Sequence, residues 1–238
     1  AAASTAAGAV QVQNSSGFSV GSVPAGACFA ATVTLNAGAG TIDINAPVSS
    51  NSGTITATAT GATGDVVINE DIRTFGGLVD INAGRDVTST AGDNVTTTAG
   101  ANTGTASGAV DIDAGRNVDL AGDIVTTGAN HATAGATASA GGQVDITTVD
   151  GWITVDDITT SGGNATGLGA TTGGAAAAVN LTSGDATPGD THDITLNGVL
   201  SALGGSGATA DGADGTVTLN ADGAVDEGAA DALTDIAA

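Results

Sequence analysis

The chain of 238 residues carries 25 Asp and Glu against 3 Arg and no Lys, a formal net charge of −22. Cations limited to Arg73, Arg85 and Arg116 exclude recognition of nucleic acid through a basic surface, because the phosphate backbone is held by clustered Lys and Arg. Hydrophobic residues make up 41%, aromatic residues 2% and Gly 39 positions, so the core is expected to consist of Val, Ile, Leu and Ala in thin layers. High charge with few aromatics often signals disorder, but here the apolar residues recur in ordered triplets, which argues for a fold.

Residues 1–32 open on AAASTAAGAV, the small-residue texture left by a signal-peptidase site or by excision from a longer chain. They contain two strand-like pieces, Val10-Gln11-Val12 and Phe18-Ser19-Val20, with Phe29 close behind. This segment reads as an N-terminal cap, or as a strand-exchange segment that pairs with the terminal coil of a neighbouring subunit. Cys28 has no second cysteine to pair with and reads as a small buried apolar residue. No apolar run approaches the roughly 18 residues needed to cross a bilayer, so no membrane insertion is expected.

From residue 33 a triplet of the form V-x-[ILV] repeats: Val33-Thr34-Leu35, Val79-Asp80-Ile81, Val110-Asp111-Ile112, Val144-Asp145-Ile146, Val179-Asn180-Leu181 and Val217-Thr218-Leu219. Alternation of apolar and polar residues predicts short strands with one buried face. A second apolar site follows at Ile42, Val87, Val118, Ile153 and Val225, and a third at Val48, Ile124 and Ile158. Between them lie turn formers such as Asn82-Ala83-Gly84-Arg85-Asp86 and Asp113-Ala114-Gly115-Arg116-Asn117, where Gly and Asn are expected to supply the positive φ of a corner. Three strands and three corners make one coil. Thr54-Ile55-Thr56, Val66-Val67-Ile68 and Ile72 supply one more.

Coil starts at 33, 55, 79, 110, 144, 179 and 217 are spaced by 22, 24, 31, 34, 35 and 38 residues. The added length falls after the third strand, which predicts insertions gathered at one corner. One coil cannot bury its own apolar face, but stacked coils share a core through parallel strands about 4.8 Å apart. The predicted fold is therefore all-β, a right-handed parallel β-helix over residues 33–225 with about seven coils, followed by a tail, 226–238, whose sizeable apolar residues are Leu233 and Ile236. An antiparallel sandwich of similar strands would have no need to repeat the same turn sequences.

The segments Gly76-Gly77-Leu78-Val79-Asp80-Ile81-Asn82-Ala83-Gly84-Arg85-Asp86-Val87 and Gly141-Gly142-Gln143-Val144-Asp145-Ile146, continuing through Gly151-Trp152-Ile153-Thr154-Val155, resemble the repeats of filamentous-haemagglutinin-type and autotransporter passenger proteins. The resemblance covers roughly residues 33 to 225 and lies in texture more than in a fixed motif. It implies a right-handed parallel β-helix at the cell surface, acting as an adhesin or as the shaft of a fibre. That family usually runs to more coils, which implies either a fragment or a subunit that assembles end to end.

The middle residues of the triplets should stack on one outer line, Asp80 over Asp111 over Asp145, flanked by Asn180 and Thr218. Adjacent carboxylates about 5 Å apart repel by about 0.8 kcal/mol in water-like dielectric. Two arrangements would offset this: a hydrated acidic face helped by Arg85 and Arg116, or a line of bound Ca²⁺, which favours several oxygen ligands. No other cofactor is expected. His131 and His192 have no partner at metal-ligand spacing and there is no Cys pair, which argues against zinc.

Ser, His and Asp occur without a flanking catalytic signature, and the reading is of a non-enzyme. The enzyme alternative, a β-helix acting on polysaccharide, would draw on Asp156-Asp157 or Asp111 and Asp113. An ice-binding solenoid is the other alternative, suggested by the hydroxyls of Thr54-Ile55-Thr56-Ala57-Thr58-Ala59-Thr60 and Thr96-Thr97-Thr98. Asn14, Asn94, Asn164 and Asn180 sit in N-x-[ST] sequons. The favoured function is an extracellular structural or adhesive element that self-associates into a filament, with no receptor identifiable from the residues.

Overall fold

The computed structural model describes residues 10–21, 32–169, 171–187, 191–228 and 236–237. Cys28, Phe29 and Leu233 lie outside them. The described chain is all-β: three sheets of eight, eight and seven strands run along one axis, every pairing is parallel, and the strand order in each sheet follows the chain. This is a right-handed parallel β-helix, the hand that parallel crossovers adopt almost without exception.

Each coil forms one rung. The fifth, for example, is made of Val110–Ala114, Val118–Leu120 and Ile124–Val125. Rungs stack without slippage: Val110, Asp111 and Ile112 lie over Val79, Asp80 and Ile81 on one side and under Val144, Asp145 and Ile146 on the other. Register is strict because a one-residue shift would turn every inward Val and Ile to solvent. The coil starts read from the triplets, from Val33 to Val217, are the starts of the first strands. Among the described residues the rungs number eight, because Val10–Asn14 and Phe18–Val20 pair in parallel with Val33–Ala37 and Ile42–Ile44. Residues 10–20 are thus a first rung stacked on their own chain. At the other end, Val225–Glu227 and Ile236–Ala237 complete the eighth rung on Ile194–Leu196 and Leu200–Ser201, so the segment read as a tail also carries strands.

The inward residues form continuous columns. Ile42, Val66, Val87, Val118, Ile153 and Ile194, at the start of the second strands, all have 0% exposure, and burying a Val or Ile side chain contributes about 1.5–3 kcal/mol. One inward column is polar. Ser50, Thr74, Thr97, Thr126 and Thr160 also have 0% exposure. Their hydroxyls donate in turn to the carbonyls of Gly53, Gly77, Gly108, Gly142 and Ala177. A buried hydroxyl without a partner costs about 1–3 kcal/mol, so the column persists because each member closes its own corner.

Two expectations need correction. Gly84 and Gly115 are not in the positive-φ region, which among glycines of the described residues holds Gly76, Gly92, Gly104, Gly135 and Gly169. They are required for close approach: a Cβ on Gly84 would lie 2.1 Å from the Gly61 carbonyl oxygen, and one on Gly115 would lie 2.2 Å from that of Gly84. Backbone stacks on backbone at this corner, which leaves no room for a side chain.

Insertions are also not confined to one corner. Four long stretches, 97–109, 126–143, 160–178 and 202–216, do follow third strands; the last three stack through parallel bridges His131–Ala165, Thr137–Thr172 and Thr172–Ala210, and the first joins the second where Asn102 N–H donates to the Asn130 carbonyl at 3.1 Å and Ser107 N–H to the Ala140 carbonyl at 3.0 Å. The seventh rung, however, carries its own insertion between Leu181 and Ile194, at the first corner.

Candidate functional site

Three charged features line the outside of the solenoid. The first is the predicted acid line. Asp80, Asp111 and Asp145 are direct neighbours in the first sheet, with Asn180 and Thr218 continuing the column. Strand alternation places Asp113 on the same outer face as Asp111. The two outer members are relieved by amides: Asn82 donates to Asp80 Oδ1, while Gln143 and Asn180 each donate to Asp145 at 2.6 Å. Partial burial, followed by repulsion from Asp113, Asp80 and Asp145, raises the pKa of Asp111. Burial and then Asp80 and Asp145 do the same for Asp113. The carboxylates form a ladder along the axis.

The second feature is an alternating column at the first corner. Arg85 makes a bidentate pair with Asp65, with Nε to Oδ1 at 2.7 Å, and Arg116 makes the same pair with Asp86, with Nε to Oδ1 at 2.8 Å. Arg85 Nε also lies 3.7 Å from Asp86 Oδ2. Arg85 and Arg116 are corner residues as expected, but the carboxylates they neutralise are Asp65 and Asp86 rather than the acid line. The same aspartates accept backbone N–H groups from the next rung: Asp86 N–H donates to Asp65 at 3.2 Å and Asn117 N–H donates to Asp86 at 3.1 Å. Burial pushes the Asp86 carboxyl up, yet the Arg116 hydrogen bond, the Asn117 N–H and the two guanidinium charges outweigh it and hold the pKa below the usual range. Arg73, the remaining cation, lies 4.7 Å from the Phe75 ring centre, a cation–π distance.

The third feature is a trio that residue spacing did not disclose. Asp150, Asp185 and His192 each place one ligand-type atom so that all three lie within 4.8 Å of one another. Asp150 belongs to the corner between Thr148 and Ile153, while Asp185 and His192 lie in the insertion of the seventh rung. His192 Nε2 is 3.9 Å from Asp150 Oδ1, and Thr187 Oγ1 donates to Asp150 Oδ2 at 2.8 Å. The absence of a partner at local ligand spacing was misleading for His192, because its neighbours come from the adjacent rung. Asp150 and Asp185 each follow their triplet valine, Val144 and Val179, by six residues. Aligning corners by coil start, rather than scanning for short ligand spacing, would have paired them. His131 lies instead in the stacked insertions, bridged to Ala165.

The remaining candidates take structural places. Asp156 and Asp157 sit at the second corner, where the chain bends after Val155. Both Oδ1 atoms crowd Gly198, within 2.5 and 2.4 Å of where a Cβ would stand, and Asp157 Oδ1 accepts the Val199 N–H at 2.7 Å. Burial, then Asp157 and Asp156, raises the pKa of nearby Asp123. Thr97 is buried, so it adds nothing to an outer hydroxyl array. Thr56 gives way to Asp80 on the next rung, which interrupts such an array on the first sheet. Three of the sequon asparagines hold backbone: Asn14 accepts from Ser16 N–H at 3.1 Å, and Asn94 accepts from Asp123 N–H and Asn164 from Ser206 N–H, each at 2.8 Å.

The fold and its outer columns define the chain as a parallel β-helix with an acidic surface. No family model, no curated protein and no solved structure matches the chain. Among the described residues no helix is long and apolar enough to cross a membrane.

Proposed function

We propose that the chain is an extracellular structural and adhesive β-solenoid, a subunit of a cell-surface filament or a segment of an adhesin shaft, which lengthens by adding parallel strands to its eighth rung. The observation that carries this reading is the contrast between the inner rungs and the eighth. In the second sheet Ile153 and Ile194 are fully buried, whereas Val225, which occupies the same column on the eighth rung, is 47% exposed. Val217 and Leu219, in the first sheet of that rung, are only half-buried. Among the described residues Val217–Asn220 pairs with a strand on one side, Val179–Thr182, and an open edge beside apolar side chains pairs with another strand when nothing blocks it. The texture shared with fibre-forming surface proteins and the high negative charge, which keeps neighbouring rods apart, support the same reading.

Eight rungs at about 4.8 Å form a stack about 35 Å tall. Electron microscopy and sedimentation of the whole chain test the proposal: particles several times that length are expected, and Val225→Asp with Leu219→Asp should shorten them to single rods. Single rods at every concentration, unchanged by the double substitution, would overturn the assembly reading.

A further inference from the structure

The geometry points to a binding site for one divalent transition-metal ion of the zinc class, held by Asp150, Asp185 and His192, which clamps the insertion of the seventh rung onto the corner of the sixth. Three observations converge on it.

The first is the set of atoms left over. Asp150 Oδ1, Asp185 Oδ1 and His192 Nδ1 are buried and have no hydrogen-bond partner among the described residues. Buried polar atoms are nearly always satisfied, and the two unpartnered carboxylate oxygens belong to residues whose ligand atoms, together with one ring nitrogen of His192, meet within 4.8 Å. Two carboxylates facing each other at this range repel unless a cation stands between them. The chain's own cations are turned elsewhere: Arg116, six residues after Val110 as Asp150 is after Val144, reaches back to Asp86 on the rung below.

The second is the way the donors are held. Thr187 fixes the other oxygen of Asp150. The His192 carbonyl accepts from Ser183 Oγ at 2.8 Å and from Gly223 N–H at 3.0 Å. Gly184 is tied in both directions, its N–H to Thr148 Oγ1 at 3.3 Å and its carbonyl to Gly151 N–H at 3.2 Å. The ligands thus come from two rungs whose backbones are already fixed, and partners outside the ligand set that orient a site raise its metal affinity.

The third is donor chemistry. Zinc-class ions sit about 2.0–2.2 Å from imidazole nitrogen and carboxylate oxygen, which puts two ligands roughly 3.4 Å apart at a tetrahedral angle. The 3.9 Å between His192 Nε2 and Asp150 Oδ1 needs only a side-chain adjustment to close. One imidazole among two carboxylates favours a transition ion over Ca²⁺, which takes oxygen ligands alone. This separates the trio from the all-carboxylate ladder of Asp80, Asp111 and Asp145.

Calorimetric titration of the metal-stripped whole chain with Zn²⁺ tests the site, with the ring ¹⁵N resonances of both histidines followed by NMR. Binding of about one equivalent is expected, with the His192 resonances moving and those of His131 staying in place. Asp185→Asn and His192→Gln should weaken binding at least tenfold, a loss no smaller than that caused by removing an outer partner, with unchanged β-sheet circular dichroism. His131→Gln should titrate like the parent chain. Absence of binding, an unchanged isotherm in His192→Gln, equal movement of both histidines, or equally tight Ca²⁺ binding would each overturn the assignment.

Discussion

Two acidic columns run up the same solenoid a few residues apart, and they are built in opposite ways. On the flat outer face of the first sheet Asp80, Asp111 and Asp145 stack like upon like. At the adjoining corner Asp65, Arg85, Asp86 and Arg116 interleave, each guanidinium reaching one rung back to its carboxylate. In a stacked fold the neighbour that matters electrostatically is one coil away in sequence, so the charge order along the axis decides whether a column costs or contributes stability. The corner column gains twice, because its carboxylates also accept backbone N–H groups. The face column is moderated only by side amides at its two ends.

The largest effect should come from breaking the corner itself. Gly115→Val places a side chain where the Gly84 carbonyl already stands, and a loss of about 3–5 kcal/mol by urea unfolding is expected, in the range of severe steric substitutions. Gly100→Ala, where the nearest atom to an added Cβ is a threonine methyl at 3.4 Å, should change stability little. An intermediate effect is expected for Asp86→Ala. It removes the Arg116 partner and the acceptor for Asn117 N–H, and the loss should be about 1 kcal/mol after allowance for solvent screening.

A smaller effect of opposite sign is expected on the face column. Asp111→Asn removes repulsion from both rungs and should stabilise the chain by about 0.5–1 kcal/mol. That gain should shrink in 1 M salt, where the Debye length is about 3 Å. If the melting temperature falls instead, the face column is not repulsive and the contrast with the corner fails.

The finest test is the pH profile. Asp111, Asp113 and Asp123 have raised folded pKa values, so the folded chain takes up their protons before the unfolded chain does. Their ionisation costs stability at neutral pH, and the cost is relieved as pH falls through the folded values, fully so near the ordinary carboxylate pKa of about 3.9. Asp86 is depressed: its contribution persists above about 3.9 and is lost only as pH falls further through its folded value. Stability should therefore peak in mild acid, and Asp111→Asn combined with Asp113→Asn should flatten the neutral limb of the peak while leaving the acid limb in place.

How much of this was legible follows from which interactions are periodic. The triplets disclosed the rungs because Val110 and Ile112 face a core that every rung shares, and the alternation that buries them is local. The first rung read as a cap because Val10-Gln11-Val12 and Phe18-Ser19-Val20 carry only two of the three strand signals. The seventh rung's second strand is not legible in the triplet spacing because the insertion separates Ile194 from Thr182 by more than the usual corner. Arg85 and Arg116 were legible as corner residues but not as partners of Asp65 and Asp86, since pairing depends on which way a long side chain turns along the axis. The trio was hidden for a related reason: its members are neighbours only after Val144 and Val179 are aligned.

The absence of slippage between rungs has a consequence for how such a molecule gives way under load. Each layer touches only the layers beside it, so pulling on the two ends should peel the rod one turn at a time, each release freeing a short length of chain while the remainder keeps its shape. A tether built this way absorbs a tug as a series of small, separately recoverable yields.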